Sequence, residues 1–373
     1  MGTKLIDRED WNVEPLGSLI REAYQLSVLR HPTGIVAPYD SKLWENALAV
    51  ESLSKLSPES NVLGVGAGLE VTSFMLANRG LNVFASDIYL AADQWDEPAL
   101  KAFALNPELV FPNYSRERIF PMHVDARFLP FPDEYFDGVY SSGSLEHFGS
   151  EEDIVQSIKE IIRVMKVGAC ASISTEFRVS GPQGQITWDP SVYLFTKEFL
   201  SEIFLNIPDA KVVGSFDQIN PSLVESQEKP TDLLAFLTGE KSYLNGEMDI
   251  YPNLLMSHLG FKFCSIHLEI EKIQHSKVPR SEKFHRKVNS ADAERFNSLS
   301  KSRISPEESS QVTLITTPRL RTRLKNDYLD TLNAFDHYKK YSRSPLKRVI
   351  ALTFSVCLRL VGKFARLAIR INS

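Results

Sequence analysis

Residues 61–68 read NVLGVGAG, a short apolar run that closes on glycines at alternate positions, Gly64, Gly66 and Gly68. So short and apolar a run suits a strand covered on both faces. Glycines at its end let the chain adopt positive φ and approach a ligand closely. LEVTSFMLANRG (69–80) follows with helical spacing and a terminal Gly80. A strand, a glycine turn and a helix in that order make a first crossover, which commits the chain to parallel strands covered by helices.

The rest of residues 59–273 keeps that rhythm. Apolar runs at 81–88, 119–126, 136–144 and 169–177 predict four more strands, and 209–216 and 261–270 close the sheet. EEDIVQSIKEIIRVMKVG (151–168) predicts an amphipathic helix stopped by Gly168, and TKEFLSEIF (196–204) a helix capped by Thr196. Before the first strand, residues 1–58 read as a helical cap, with a helix over 41–56 behind Asp40 or Ser41. The expected fold is a doubly wound, Rossmann-like α/β domain with a mainly parallel sheet.

The glycine spacing argues against a dinucleotide fingerprint. G-x-G-x-x-G counted from Gly64 needs glycine at Leu69, and counted from Gly66 needs it at Val71. No pyrophosphate need be held. Asp87 ends the second strand, 19 residues after Gly68, where a carboxylate can accept from both hydroxyls of a ribose or cap a turn. Asp125 and Ala126 end the third. There a side-chain acceptor beside a backbone N–H can read the edge of an adenine, or Asp125 can simply form an Asx turn.

The ordered motifs GVGAGLE, FASDIYL, HVDARFLPFPDEYFDGVYSSGSLEHF and IIRVMKVGACASISTEF resemble those of class I S-adenosylmethionine-dependent methyltransferases. Within that superfamily the chain is similar to a bacterial branch associated with glycan genes. The resemblance covers 61–177 strongly and 178–272 more weakly. It implies a seven-stranded sheet whose last strand is antiparallel, and S-adenosylmethionine as cofactor. Gly64, Gly66 and Gly68 would line the methionine moiety. Asp87 would hold the ribose, Ile88 would pack on the adenine, and Asp125 with Ala126 would read its edge. Relatives often carry an acidic residue in place of Gly64 and a glycine in place of Glu70. Glu70 or another group then takes the methionine amine.

SSGSLEHF (141–148) ends the fourth strand, at the mouth of the crevice where such sheets bind ligands. Ser141–Ser144 are expected to line the donor methyl, and Glu146 and His147 are the candidate catalytic pair. Histidine is the natural base near neutral pH; both residues can equally well belong to a capped turn. Thr175, Glu176 and Phe177, with Arg178 and Trp188, are candidates for the acceptor pocket. Trp44 and Glu45 are candidates to close over the donor, with core packing as the other reading of Trp44. No histidine, cysteine or aspartate spacing supports a metal site, and none is expected.

Charge divides the chain. Residues 1–273 hold 21 Lys and Arg against 39 Asp and Glu, a balance of −18; residues 274–373 hold 21 against 8, a balance of +13. Residues 274–344 read as a polar linker or disordered stretch, with a short strand over 311–318. Residues 345–373 read as a basic amphipathic helix, with Arg359, Lys363, Arg366 and Arg370 on one stripe. That pattern points to an anionic membrane surface; a helix packed on a partner is the other reading. The tail is too apolar for a nucleic-acid arm, and no nucleic-acid module is present. Three separated cysteines and the absence of an apolar leader fit a cytoplasmic protein, held peripherally at the inner membrane face. The expected activity is methyl transfer to a glycan or glycolipid intermediate. Methylation of a small metabolite, lipid or protein, and a non-catalytic scaffold, are the alternatives.

Overall fold

The computed structural model describes residues 2–30, 38–68, 70–89, 116–183, 187, 192–233, 242–244, 247–249 and 253–275. All of them fall in one of the two compact units of the chain, residues 1–233 with 241–306. The other unit, residues 234–240 with 307–373, lies outside the described residues, as do the predicted strand at 311–318, the helix at 345–373 and Trp188.

The elements run β1 (Lys4–Leu5), α1 (Leu16–Arg30), α2 (Ser41–Leu53), β2 (Asn61–Val65), α3 (Val71–Asn78), β3 (Asn82–Asp87), β4 (Ile119–His123) and β5 (Phe136–Ser142). Then come α4 (Glu151–Val164), β6 (Met165–Ser180), α5 (Lys197–Leu205), β7 (Ala210–Val212), α6 (Pro221–Gln227) and β8 (Thr231–Asp232). A hairpin of β9 (Ser242–Leu244) and β10 (Glu247–Asp249), then β11 (Met256–His258) and β12 (Phe261–Lys272), complete the order.

The sheet runs β4-β3-β2-β5-β6-β12-β11-β8, with β1 and β7 also paired to β12. From β4 to β6 all pairs are parallel; β12 is antiparallel to β6, to β7 and to β11. The expected core is therefore present with its reversed strand, and three short strands, β1, β8 and β11, extend it beyond seven. The first of them lies in the stretch expected to be mostly helical. Lys4 and Leu5 pair with His267 and Ile266, so the chain enters through the sheet.

Element ends differ where tertiary partners take over. The helix expected to run to Gly168 stops at Val164, and β6 begins at once with Met165. Its N-terminus is a capping box: Ser150 Oγ accepts from the Asp153 N–H, and Asp153 accepts from the Ser150 N–H. Its C-terminal carbonyls are claimed from outside. The Glu134 N–H donates to Arg163 O, the Tyr135 N–H to Val164 O, and buried Lys272 Nζ to Arg163 O and Met165 O. Once those acceptors are taken, the apolar run VMKV has no helical partners to continue with. On the inner side of α4, Ile154, Ile158, Ile161 and Ile162 are buried in the core.

Candidate active site

β2 lies between β3 on one side and β5 on the other, so the chain leaves the sheet in opposite directions beside β2. The crevice at the carboxyl ends of such strands is where open α/β sheets bind ligands. A cavity of about 390 Å³ lies there, lined by the turn after β2, the ends of β3 and β4, the segment after β5 and the start of α2.

The glycine turn forms its floor. Gly66 has φ +63°, and a Cβ on it would sit 2.5 Å from Ser144 Cβ. Both space and backbone conformation therefore demand glycine at 66. Ser144 Oγ donates to Gly66 O at 2.8 Å and ties the β5 segment to the turn. Gly64 lies inside β2, off the cavity, where a Cβ would collide with Tyr140. Its glycine is a packing requirement, and the expected donor contact is corrected accordingly.

Three carboxylates stand along the cavity. Glu70 Oε2 accepts from Asn46 Nδ2 at 2.9 Å. Asp87 accepts from the Gly68 N–H at 2.8 Å and the Ile88 N–H at 2.6 Å. Burial pushes its carboxyl up to about 6, against the pull of those two N–H groups. Asp125 accepts from the Arg127 N–H at 2.9 Å and from its guanidinium at 2.6 and 2.9 Å. The Asx turn weighed for Asp125 is thus present, and so is a turn-fixing role for Asp87. Ile88 and Ala126 line the same cavity beside them.

His147 lines the cavity; Glu146 and Ser141 do not. Glu146 is buried, with Oε2 accepting from Thr175 Oγ1 at 2.8 Å. Ser141 is buried within β5, and the wall is built by Gly143 and Ser144 just past the strand end. The expected positions of Glu146 and Ser141 are corrected on this ground. Trp44 is buried in the core, its ring edge-on to His267 and its Nε1 donating to Asp10. Arg178 stands over the Phe261 ring and donates to Pro182 O.

Five lining residues were not among the expected site residues: Lys42, Val124, Arg127, Phe148 and Gly149. Lys42 opens α2, where Asp40 Oδ1 caps the Lys42 N–H at 2.8 Å. Its Nζ donates to Glu45 Oε2 at 2.9 Å and to Ser142 O at 2.9 Å. Burial opposes its charge, but Glu45, Glu70 and Glu146 outweigh burial and hold its pKa above the usual lysine range. Behind it, burial pushes the Glu45 carboxyl up and that of Glu176 up to about 8, with Glu146 adding to both. The lone signal for Lys42 in the sequence was its place ahead of Trp44 and Glu45 on the helix before the glycine strand.

The family model described as "Methyltransferase domain" matches residues 63–173. That span holds the glycine turn and the ends of β3, β4 and β5. Residues 63–173 carry a methyltransferase domain. Among solved structures, the YcgJ protein of Bacillus subtilis is 16% identical, with a TM-score of 0.37 over 62% of this chain and 98% of its own. A SAM-dependent methyltransferase of Methanosarcina mazei is 16% identical, with a TM-score of 0.36 over 59% and 95%. Haemonchus contortus phosphoethanolamine N-methyltransferase 2, solved with S-adenosyl-L-methionine, is 16% identical, with a TM-score of 0.42 over 72% and 61%. No protein of curated function matches.

The cavity suits S-adenosylmethionine. A glycine floor with no room for side chains admits close backbone approach. Carboxylates at the ends of successive segments offer acceptors for an ammonium, a ribose and an amino-purine. Among the described residues no cluster of side chains is arranged to hold a metal ion.

Proposed function

We propose that this enzyme methylates a hydroxyl of a glycan or glycolipid intermediate at an anionic membrane surface. The donor half rests on one observation: Glu70, Asp87 and Asp125 line a single cavity over the glycine turn. Asp87 would receive the ribose hydroxyls, Asp125 and Ala126 the adenine edge, and Ile88 the adenine face. When bound, S-adenosylmethionine supplies a methyl group activated by a positively charged sulfur. Placing the acceptor in line with that bond supplies about 7–11 kcal/mol in favourable cases.

His147 is the base in this reading. It lines the cavity on the segment after β5, and its ring takes the proton from the acceptor hydroxyl oxygen. Glu146 beside it is occupied with Thr175 and acts by holding the turn. The acceptor half is supported by the +13 balance of residues 274–373 and the basic stripe near the C-terminus.

Thermal melting with S-adenosylhomocysteine tests the donor half. At a hundred times Kd it should add about 2.7 kcal/mol of stability, and no shift at millimolar ligand sinks the reading. Labelled methyl transfer to glycolipid fractions tests the acceptor half. His147→Ala should leave that melting shift intact and cut transfer about 100-fold. Label that enters only protein or small metabolites counts against a glycan acceptor.

A further inference from the structure

The lining residues include two full cations, and they stand in different surroundings. Arg127 is engaged by Asp125 and by Asp153, at 2.6 and 3.2 Å. Lys42 stands with Glu70 near the glycine turn. Asn46 Nδ2 donates to Lys42 O at 2.7 Å and to Glu70 Oε2 at 2.9 Å, so one amide joins the two. Thr72 Oγ1, donating to Asn46 Oδ1 at 2.5 Å, fixes that amide in turn. A Cβ on Gly143 would collide with Lys42 Nζ, so the ammonium packs directly over Gly143, and both residues line the cavity. The Lys42 side chain is 41% exposed, whereas its partner Glu45 is 4% exposed.

An α-amino-acid group is dipolar. Seated in a cavity, it needs an anion for its ammonium and a cation for its carboxylate, because an unpaired buried charge is costly. Glu70 and Lys42 supply that pair beside the turn. Building on the donor reading above, we infer that Lys42 binds the α-carboxylate of S-adenosylmethionine, while Glu70 faces its α-ammonium. Two donors of the Lys42 ammonium are committed to Glu45 and Ser142 O. The third reaches only Gly143 O, at 3.4 Å, and is the one a carboxylate would take. Lys42 is thus a binding residue for the cofactor rather than a structural tie alone.

Calorimetry with S-adenosylmethionine and with decarboxylated S-adenosylmethionine, which lacks only the α-carboxylate, tests this without any turnover. The wild-type protein should bind the intact molecule about 10-fold or more tighter. Lys42→Met should erase that preference by weakening the intact ligand alone, and Lys42→Arg should retain part of it. Equal wild-type affinity for the two overturns the assignment, as does a Lys42→Met variant that weakens both by one factor. Lys42→Gln replaces Lys42→Met if the latter does not fold, and the wild-type pair decides if neither does. A wild-type protein that binds neither molecule overturns the donor reading itself.

Discussion

Asp87 shows how one carboxylate can fix the fold at the place where a ribose is proposed to bind. Its two oxygens accept the N–H groups of Gly68 and Ile88, which locks the glycine turn to the end of β3. The same bonds hold the carboxylate in place before a sugar arrives, so binding need not pay to order it. Burial holds its pKa near 6, so it gains a proton as the pH falls through that value. A protonated acid accepts ribose hydroxyls poorly. Affinity for S-adenosylhomocysteine should therefore be flat above pH 7 and fall by up to about tenfold per pH unit below 6. Isothermal titration across pH 5–8 reads this directly, and Asp87→Asn should remove the step. A flat wild-type profile contradicts the role of Asp87.

At the scale of elements, α4 steadies the Asp125 side of the cavity. Arg163 is buried on α4 and donates to Phe131 O and Leu129 O, at 3.0 and 2.8 Å, and to Glu160 at 2.8 Å. Glu160 in turn accepts from the Leu129 N–H at 2.9 Å. The loop that begins at Asp125 is thus held by the buried Arg163–Glu160 pair, its backbone contacts and a further ion pair from Arg163 to Asp133 at 2.6 Å. Arg163→Met leaves Glu160 buried without its partner and two carbonyls without donors. Unfolding in urea should show a loss of about 3–5 kcal/mol. A loss under about 1 kcal/mol, the range of an exposed ion pair, would mean that the loop is held by other contacts.

For the whole molecule, charge and compactness part company. The described residues lie in one compact unit that holds the cavity, and no helix among them is long and apolar enough to cross a membrane. The basic excess lies in the last hundred residues. Each Lys or Arg near an anionic surface is worth about 1 kcal/mol, and salt screens the attraction. Full-length protein should therefore co-sediment with anionic liposomes and detach as salt rises, while a chain ending at residue 343 should stay in the supernatant. Equal behaviour of the two removes the membrane role.

The local pattern alone sufficed for the crossover, the parallel sheet and most of the strand-end residues, because those depend on neighbours within a few positions. Gly66, Gly68, Glu70, Asp87, Asp125 and His147 were legible because each closes or follows an apolar run. Lys42 and Arg127 were not, because nothing local distinguishes a cation that lines a cavity from one in solvent. Val164 ends α4 because Glu134, Tyr135 and Lys272, distant in sequence, take its last carbonyls. Glu146 and Ser141 stand where the motif put them, yet their side chains lie off the cavity. Chain order decided which residues gather at the sheet's carboxyl edge; only packing in three dimensions decided which of them face the ligand, since burial and partner choice depend on what the rest of the chain brings alongside.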